Sequence, residues 1–231
     1  MNPNRLRELF TWGVRASLAS PLVLTGCGGG LDLEGYSPPA CMNQKLAVED
    51  LSPVAPTDFV ELRRFYRDSQ AASFMESALS SSGTACVNAT EQSSCRSGLE
   101  ALTPATGFNT SCDDLGCVSH YLATTQGDGV TAHASVESLL GFLGTIDTPQ
   151  EAVLRVFADG ERSYHVSCST LEQGAVKANA DGTFNVVATT GTGCQGEPSM
   201  WRHVLSVSPQ GEVRETGSEL LSRSSPGNCG D

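Results

Sequence analysis

The sequence predicts an α+β fold in which a few short helices pack on an antiparallel β-meander that is stapled by disulfide bonds. Three observations favour this class: a well-capped helix begins after Thr148, the chain beyond Gly160 consists of strand-like runs separated by turns, and the 231 residues include nine cysteines. A helix that leads into a meander of about four or five strands is typical of an α+β domain, with the helix covering one sheet face.

The first half of the chain predicts two helices and a hairpin, besides one ambiguous segment. The run 58–67 fits a capped helix or a strand, because its apolar residues satisfy both periods. Apolar residues at helical spacing predict a short helix over 74–82, and a second helix is expected over 90–102. Strand-like runs over 118–125 and 130–135 flank a Gly-Asp-Gly turn, which predicts a β-hairpin.

The second half begins with two helices. The first is an apolar helix over 136–144 that ends at glycine. The second has complete start signals, because Thr148 is a good N-cap, Pro149 suits the first helical position and Glu151 completes a capping box. Strands are predicted over the runs that follow, which are 163–168, 175–179, 183–190, 201–208 and 212–216.

The charge balance of the chain excludes one class of partner. Fourteen Lys and Arg residues stand against 26 Asp and Glu residues, which gives a formal net charge of -12. A protein that binds the phosphate backbone of DNA or RNA needs clustered basic side chains to displace counterions. We therefore expect no nucleic-acid partner.

Residues 1–26 predict a lipoprotein signal peptide. A basic start precedes an apolar run over 16–24 that is too short for a membrane span, which needs about 20 apolar residues. The run ends in Leu24-Thr25-Gly26-Cys27, which resembles the lipobox of bacterial lipoproteins. The resemblance implies cleavage before Cys27 and modification of that residue with acyl chains such as palmitate, which anchor the protein in a membrane.

The remaining chain divides into a linker and a folded body. Gly28 stands where an Asp commonly retains lipoproteins in the inner membrane, so the expected location is the cell envelope, with the lipid anchor in the outer membrane. The stretch 27–57 is predicted to hold the acylated cysteine and a flexible linker. A disulfide-rich α+β domain is predicted over 58–231, as one core or as two subdomains, 58–145 and 146–231.

Eight cysteines remain when the acylated one is set aside, and an even number in an exported chain predicts a disulfide framework. They are Cys41, Cys86, Cys95, Cys112, Cys117, Cys168, Cys194 and Cys229. Four bridges are expected. Spacing alone favours Cys86–Cys95 and Cys112–Cys117 as local bridges, Cys168–Cys194 as a link between strands, and Cys41–Cys229 as a clamp between the chain ends.

Metal binding is the alternative interpretation of several of these residues. Cys112, Cys117 and His120 form a C-x4-C-x2-H pattern with three zinc ligands but no apparent fourth. His120 and His133 are expected on one face of the hairpin, where they would share a metal or lie on the solvent face as ordinary polar residues. Asp113 and the adjacent Asp114 suit calcium, although two adjacent acids are more often only solvated.

The sequence contains no catalytic motif and no complete cofactor motif. The segment Gly191–Gly196 matches G-x-G-x-x-G, but a dinucleotide site needs a helix after it, and a strand is predicted there instead. The chain has no G-x-S-x-G, S-x-x-K, H-E-x-x-H or EF-hand pattern. We therefore predict no catalytic residue, no cofactor and no enzyme activity.

Two segments, Tyr121–Gly129 and Phe142–Val153, together with the cysteine spacing resemble the N-terminal module of exported lipoproteins from myxobacteria. Several of those proteins continue into a ferritin-like helical domain. The resemblance covers most of residues 36–229 and implies no catalytic role for any of them. The helical domain is expected to be absent here, along with the Glu and His residues that bind its iron.

The sequence therefore favours a non-enzymatic envelope lipoprotein that acts as a binding or structural module. Its expected partner is the membrane, through Cys27, and the sequence does not identify a protein partner. The alternative is a lipoprotein that binds or senses a metal with His120 and His133 or with the Cys112–Cys117 loop. A hydrolase would require a deep pocket in which histidine and acidic groups converge.

Overall fold

Eleven strands and three helices form within the residues that the computed structural model describes, which are 31–68, 74–160, 162–191 and 199–223. In chain order, the strands are β1 (Cys41–Met42), β2 (Lys45–Leu46), β3 (Phe59–Asp68), β4 (Phe74–Gly83), β5 (Phe108–Cys112), β6 (Gly116–Gln126), β7 (Gly129–His133), β8 (Ala175–Ala178), β9 (Phe184–Gly191), β10 (Ser199–Val207) and β11 (Val213–Arg223). The helices are α1 (Gln92–Glu100), α2 (Val136–Leu143) and α3 (Pro149–Phe157). The predicted α+β class is confirmed.

The larger sheet is built around β3 and β6, which pair antiparallel along their whole length. β4 extends the sheet beyond β3, while β5 and β7 share the free edge of β6, one at each end of that strand. Leu62 and Leu122 lie opposite each other at the centre of the sheet, and their exposed fractions are 1% and 0%. One face of this sheet therefore belongs to the hydrophobic core.

The second sheet has four antiparallel strands in the order β11-β10-β9-β8. Its shortest strand, β8, has irregular chain on its free side, where Ser37 forms a bridge with Val176. Farther along β9, His165 forms a second bridge with Thr189. These two bridges protect an edge that would otherwise expose unpaired amides.

α3 packs against β8, β9 and β10, and its start follows the sequence prediction. Thr148 Oγ1 accepts from the Glu151 amide, Glu151 returns a carboxylate to the Thr148 amide, and Pro149 occupies the first turn. Five consecutive residues from Ala152 to Val156 are buried, because the helix is covered on more than one side. α2 begins with a similar capping box at Ser135.

A single hydrophobic core joins the two halves of the chain. It includes Leu62 and Leu122 from the larger sheet, Val153 from α3, and Val186 and Leu205 from the smaller sheet. The described residues from Leu33 onward form one compact unit. The structure therefore favours one core over the two subdomains 58–145 and 146–231.

The folded body also begins earlier than predicted. Within the expected linker 27–57, residues of the β1–β2 hairpin and the segment after it enter the core, with Leu46, Ala47 and Val48 all buried. The side chain of Gln150 on α3 accepts from the Ala40 amide at 2.9 Å and donates to the Ala47 carbonyl at 2.6 Å. A linker assignment based on composition misses such contacts, because their partners lie about a hundred residues away in the sequence.

Two further element predictions differ from the structure. The segment 74–82 is the strand β4 rather than a helix, and the ambiguous run 58–67 forms the strand β3. The run 163–168 is irregular apart from the bridge at His165, although a strand was predicted there. The helix α1, the β6–β7 hairpin and the four strands β8 to β11 are confirmed.

Three disulfide bonds link described cysteines. Cys86–Cys95 and Cys112–Cys117 are confirmed, whereas Cys41 bonds Cys168 with their Cα atoms 6.0 Å apart. The predicted pairs Cys168–Cys194 and Cys41–Cys229 are therefore wrong, because the contacts of Gln150 hold the β1–β2 hairpin close to the segment before β8. Cys194 and Cys229 lie outside the described residues.

Candidate functional site

A cavity of about 260 Å³ opens on the core-facing side of the larger sheet. Its walls come from β2, from the strands β3 to β6, from the end of α3 and from the irregular segment 163–169. Side chains of Leu46, Leu62, Leu79, Phe157 and Val166 supply an apolar floor. The cavity is therefore built from segments that are widely separated in the sequence.

His120 is the predicted site residue that lines this cavity. It lies opposite Arg64 in the β3–β6 pairing, and its Nδ1 donates to the Asn109 carbonyl at 3.3 Å. Its ring packs edge-on against Phe157, with centroids 5.0 Å apart. Burial, reinforced by the charge of Arg64, lowers the pKa of His120 to about 4, so the ring is neutral near pH 7.

A second histidine, His165, lines the same cavity from the segment before β8. Its backbone is fixed by two hydrogen bonds with Thr189, each 2.8 Å long. Desolvation and then the charge of Lys45 lower the pKa of its imidazole. Both cavity histidines therefore face a cationic side chain.

The charge of the cavity lining is opposite to that of the whole chain. Lys45 and Arg64 line the cavity, whereas no Asp or Glu is among the described residues that do so. Neither cation forms an ion pair with another residue in the part of the chain that the structure describes. A protein with a formal net charge of -12 thus carries a locally cationic cavity whose described lining has no acidic residue.

Unusual backbone conformations surround the cavity, and hydrogen bonds hold two of them. Gln44, Asn109 and Ser163 have positive φ angles of 62°, 48° and 46°. The side-chain amide of Asn109 donates to the carbonyls of Phe157 and Tyr164 at 2.9 Å each, and Ser163 Oγ donates to the Thr110 carbonyl at 3.0 Å. Non-glycine residues with positive φ persist only where the surroundings hold them, so this wall is preorganised.

Glycine allows the segment 163–169 to reach the cavity. A Cβ atom at Gly174 would meet the carbonyl oxygen of Ser167 at 1.9 Å, so the chain folds back here at a distance that only glycine permits. The Ser167 amide donates to the Gln173 carbonyl, and Cys168 carries the disulfide to Cys41. The wall that holds His165 is therefore fixed on both sides.

His133, the other predicted histidine ligand, has a different environment. It pairs with Leu122 and is thus a diagonal neighbour of His120, as the hairpin register predicted. Its Nδ1 donates to the Ser138 carbonyl at 3.2 Å, its Nε2 accepts from Thr124 Oγ1 at 3.0 Å, and its ring lies 4.7 Å from that of Phe142. Both ring nitrogens are occupied, and His133 does not line the cavity.

The Cys112–Cys117 loop is a stapled hairpin. The two cysteines face each other across β5 and β6, and their sulfur atoms are bonded, so neither supplies a thiolate for zinc. Asp113 Oδ1 accepts from the amides of Leu115 and Gly116 at 2.9 Å each, which closes the turn. No group of three or more His, Cys, Asp or Glu suited to a metal occurs within 31–68, 74–160, 162–191 and 199–223.

An ionic cluster on the opposite face of the larger sheet was not predicted. The Arg63 guanidinium donates to Glu61 at 2.5 Å and to the Leu99 carbonyl at 2.9 Å, and Tyr121 donates to Glu76. Burial and the bond to Glu76 raise the pKa of Tyr121. These contacts tie β3, β4 and β6 to α1, which is a structural role.

Sequence reasoning identified His120 but missed Lys45, Arg64 and His165. The pairing of Arg64 with His120 would follow from assigning 58–67 as a strand beside 118–125. Lys45 fell within the predicted linker, and no sequence signal indicates its approach to His165. Cys27 and the G-x-G-x-x-G segment beyond Gly191 lie outside the described residues.

Comparisons with known proteins leave the geometry as the main guide. The chain matches no protein-family model, no curated protein and no solved structure at a significant level. Among the described residues, no helix is long and apolar enough to cross a membrane.

Proposed function

We propose that the protein is a non-enzymatic lipoprotein of the bacterial cell envelope, anchored in the outer membrane through Cys27, and that its disulfide-stapled body is a binding module. The lipobox-like Leu24–Cys27 segment supports the anchor. The three disulfide bonds support export, because such bonds persist in oxidising compartments. We also propose the relationship to the N-terminal module of myxobacterial lipoproteins, on the two segments that resemble it.

The binding role rests on the cavity. It combines an apolar floor with two cationic side chains that have no acidic partner among the described residues. Ligand sites typically have this character, with a mostly apolar concave surface and a few polar groups that orient the ligand. This combination supports a binding role for the cavity.

The lining gives less support to a hydrolase. His120 and His165 are the titratable bases of the cavity, and the described lining has no carboxylate to orient either ring. Ser163 Oγ donates to the Thr110 carbonyl, so it is not directed toward an imidazole base. A nucleophile, a base and an orienting acid are the parts that acyl transfer uses.

The metal-binding alternative also has less support than a binding module for an organic ligand. It relied on thiolates that are bonded in the Cys112–Cys117 disulfide and on His133, whose ring nitrogens are both engaged. No contact of the described residues favours it over the cavity.

The anchor is tested by labelling a bacterial culture that expresses the full chain with radioactive palmitate. The wild-type protein is expected to carry the label and to fractionate with the outer membrane, and Cys27→Ser is expected to lose the label. Gly28→Asp is the matched variant, because it keeps the acylated cysteine but places an Asp after it. It should keep the label and move to the inner membrane.

The two variants separate the parts of the proposal. Label that persists in Cys27→Ser would overturn acylation at that residue. Label that is lost from Cys27→Ser, with no change of membrane in Gly28→Asp, would support the anchor and overturn the reasoning that assigns the outer membrane.

A further inference from the structure

We propose that the cavity binds a small organic acid, with its carboxylate between Lys45 and Arg64 and its apolar body on the floor formed by Leu62, Leu79 and Phe157. This inference rests on the proposed binding role and adds the chemical class of the ligand. Nothing in the sequence motifs assigned a site to these residues.

The positive charge of the cavity lining favours an anionic ligand. Two cations line the cavity, and neither has an ionic partner among the described residues. An anion placed between two exposed cations is attracted to both, and hydrogen bonds to charged groups contribute about 1.5–3 kcal/mol each. A neutral or cationic ligand would leave Lys45 and Arg64 unpaired.

The apolar floor of the cavity favours an organic acid over an inorganic oxyanion. Phosphate or sulfate needs hydrogen-bond donors on several sides. Two polar side chains of the wall are already committed, because Asn109 donates to the carbonyls of Phe157 and Tyr164 and Ser163 donates to the Thr110 carbonyl. The apolar floor lies beside polar lining residues that include Gln44, Ser167 and Ser169. It suits a hydrocarbon body, which an inorganic oxyanion lacks.

The size of the cavity sets the size of the ligand. Its volume of about 260 Å³ lies just below the range of about 300–1,000 Å³ for drug-sized ligands. A carboxylate with a short aliphatic chain fits this volume, and hexanoate is a suitable probe.

The experiment uses the protein purified from a culture that expresses the full chain, mixed with nanodiscs of zwitterionic lipid and titrated calorimetrically, with empty nanodiscs as the blank. Hexanoate is expected to bind at least about tenfold more tightly than hexanamide, which has the same chain without the charge. Hexylamine and inorganic phosphate are expected not to bind. Raising the ionic strength should weaken hexanoate binding, because the cations lie near the mouth of the cavity.

Point variants assign the binding to these residues. Arg64→Gln and Lys45→Gln should each weaken hexanoate binding about tenfold. Both side chains are exposed and without an ionic partner among the described residues, so the variants should fold. Arg96→Gln is the matched control, because Arg96 is an exposed cation on α1 that does not line the cavity.

Histidine signals give a second readout within one sample. Hexanoate should shift the imidazole resonances of His120 and His165 but not that of His133, which lies outside the cavity. Equal binding of hexanamide and hexanoate, or equal losses in Arg96→Gln and Arg64→Gln, would overturn the proposal. So would binding without a shift at His120 and His165.

The outcome also separates this inference from the proposed function. Palmitate labelling at Cys27 with no hexanoate binding would overturn the ligand class and leave the anchored lipoprotein standing. Hexanoate binding without labelling would support the site and overturn the anchor.

Discussion

The four histidines of this protein share one electrostatic feature, a lowered imidazole pKa. Burial lowers the pKa of His120, His133, His165 and His203, and it is the largest cause in each case. The nearby cations add to this effect at His120 and His165, whereas Glu215 opposes it at His203. The folded protein thus holds its described histidines neutral under conditions in which an unfolded chain would begin to protonate them.

This difference in pKa between the folded and the unfolded chain predicts that the protein loses stability in mild acid, above the pH range in which carboxylates titrate. The pKa of His120 is about 4 in the folded protein, against an ordinary value of 6.5 for a histidine side chain. Above pH 6.5 the ring is neutral in both states and contributes nothing, whereas between pH 6.5 and 4 only the unfolded chain takes up the proton. Stability should therefore fall as the pH decreases, by up to about 2 kcal/mol at pH 5 from His120 alone.

Urea unfolding at pH 7 and at pH 5 measures this loss. His120→Gln keeps an N–H donor for the Asn109 carbonyl and removes the titrating group, so its stability should fall less than that of the wild type. The imidazole resonance, followed through the same pH range, gives the pKa directly. A His120 pKa near 6.5, or equal losses in both proteins, would contradict this account.

At the level of elements, the first turn of α3 organises the chain around it. The carboxylate of Glu151 is fully buried and accepts from the amides of Ser52, Asp147 and Thr148 at 2.7, 3.0 and 3.1 Å. Its neighbour Gln150 holds the β1–β2 hairpin through Ala40 and Ala47. Side chains that cap a helix locally thus also fix a distant segment.

Two substitutions in this turn should differ in cost. Thr148→Ala removes one cap acceptor and should lower the free energy of unfolding by about 1 kcal/mol. Glu151→Ala leaves three amides without their acceptor and should lower it by about 3 kcal/mol or more. Glu151→Gln keeps one acceptor oxygen and should fall between them.

Urea unfolding of the three variants measures the order, and hydrogen exchange at the Ser52 amide gives a local readout. Exchange at Ser52 should accelerate in Glu151→Ala and remain slow in Thr148→Ala. Equal destabilisation by the two alanine variants would show that the carboxylate acts only as a local cap.

An element was predicted correctly where residues close together in the sequence determine its structure, and wrongly where its pairing with another strand does. The α3 cap was predicted correctly because Thr148, Pro149 and Glu151 satisfy one another within four residues. β4 was mistaken for a helix because Leu79 is an extra residue in its pairing with β3, opposite the step from Leu62 to Arg63. Such a bulge interrupts the alternation that identifies a strand and leaves apolar residues at helical spacing.

On the scale of the whole molecule, the candidate site depends on contacts that no local pattern encodes. The cavity joins Lys45 from the N-terminal hairpin, Arg64 and His120 from the larger sheet, and His165 from the segment before β8. Sequence analysis had assigned these residues to a linker, an ambiguous run and a strand. His120 could be selected in advance, whereas its partners required the register of β3 against β6 and the position of Cys41 beside Cys168.

The disulfide bonds should contribute unequally to stability, because they close loops of very different length. Cys41–Cys168 spans 127 residues of sequence, whereas Cys112–Cys117 spans 5. Constraint of the unfolded chain predicts a loss of about 5 kcal/mol on removal of the long-range bond and about 2 kcal/mol on removal of the short one. The long-range bond also fixes the wall that carries His165, so its removal should weaken hexanoate binding as well.

Urea unfolding without reductant tests this on two double variants, Cys41→Ser/Cys168→Ser and Cys112→Ser/Cys117→Ser. Non-reducing peptide mapping of the wild type identifies the linked pairs. The mapping also tests the expected total of four bridges, since a fourth requires Cys194 and Cys229 to bond each other. Loss of hexanoate binding in the first variant only, while both remain folded, would connect the closure of the chain to the integrity of the cavity. Equal stability of the two variants would instead mean that the β1–β2 hairpin is held chiefly by Gln150, and Gln150→Ala would then be the more damaging change.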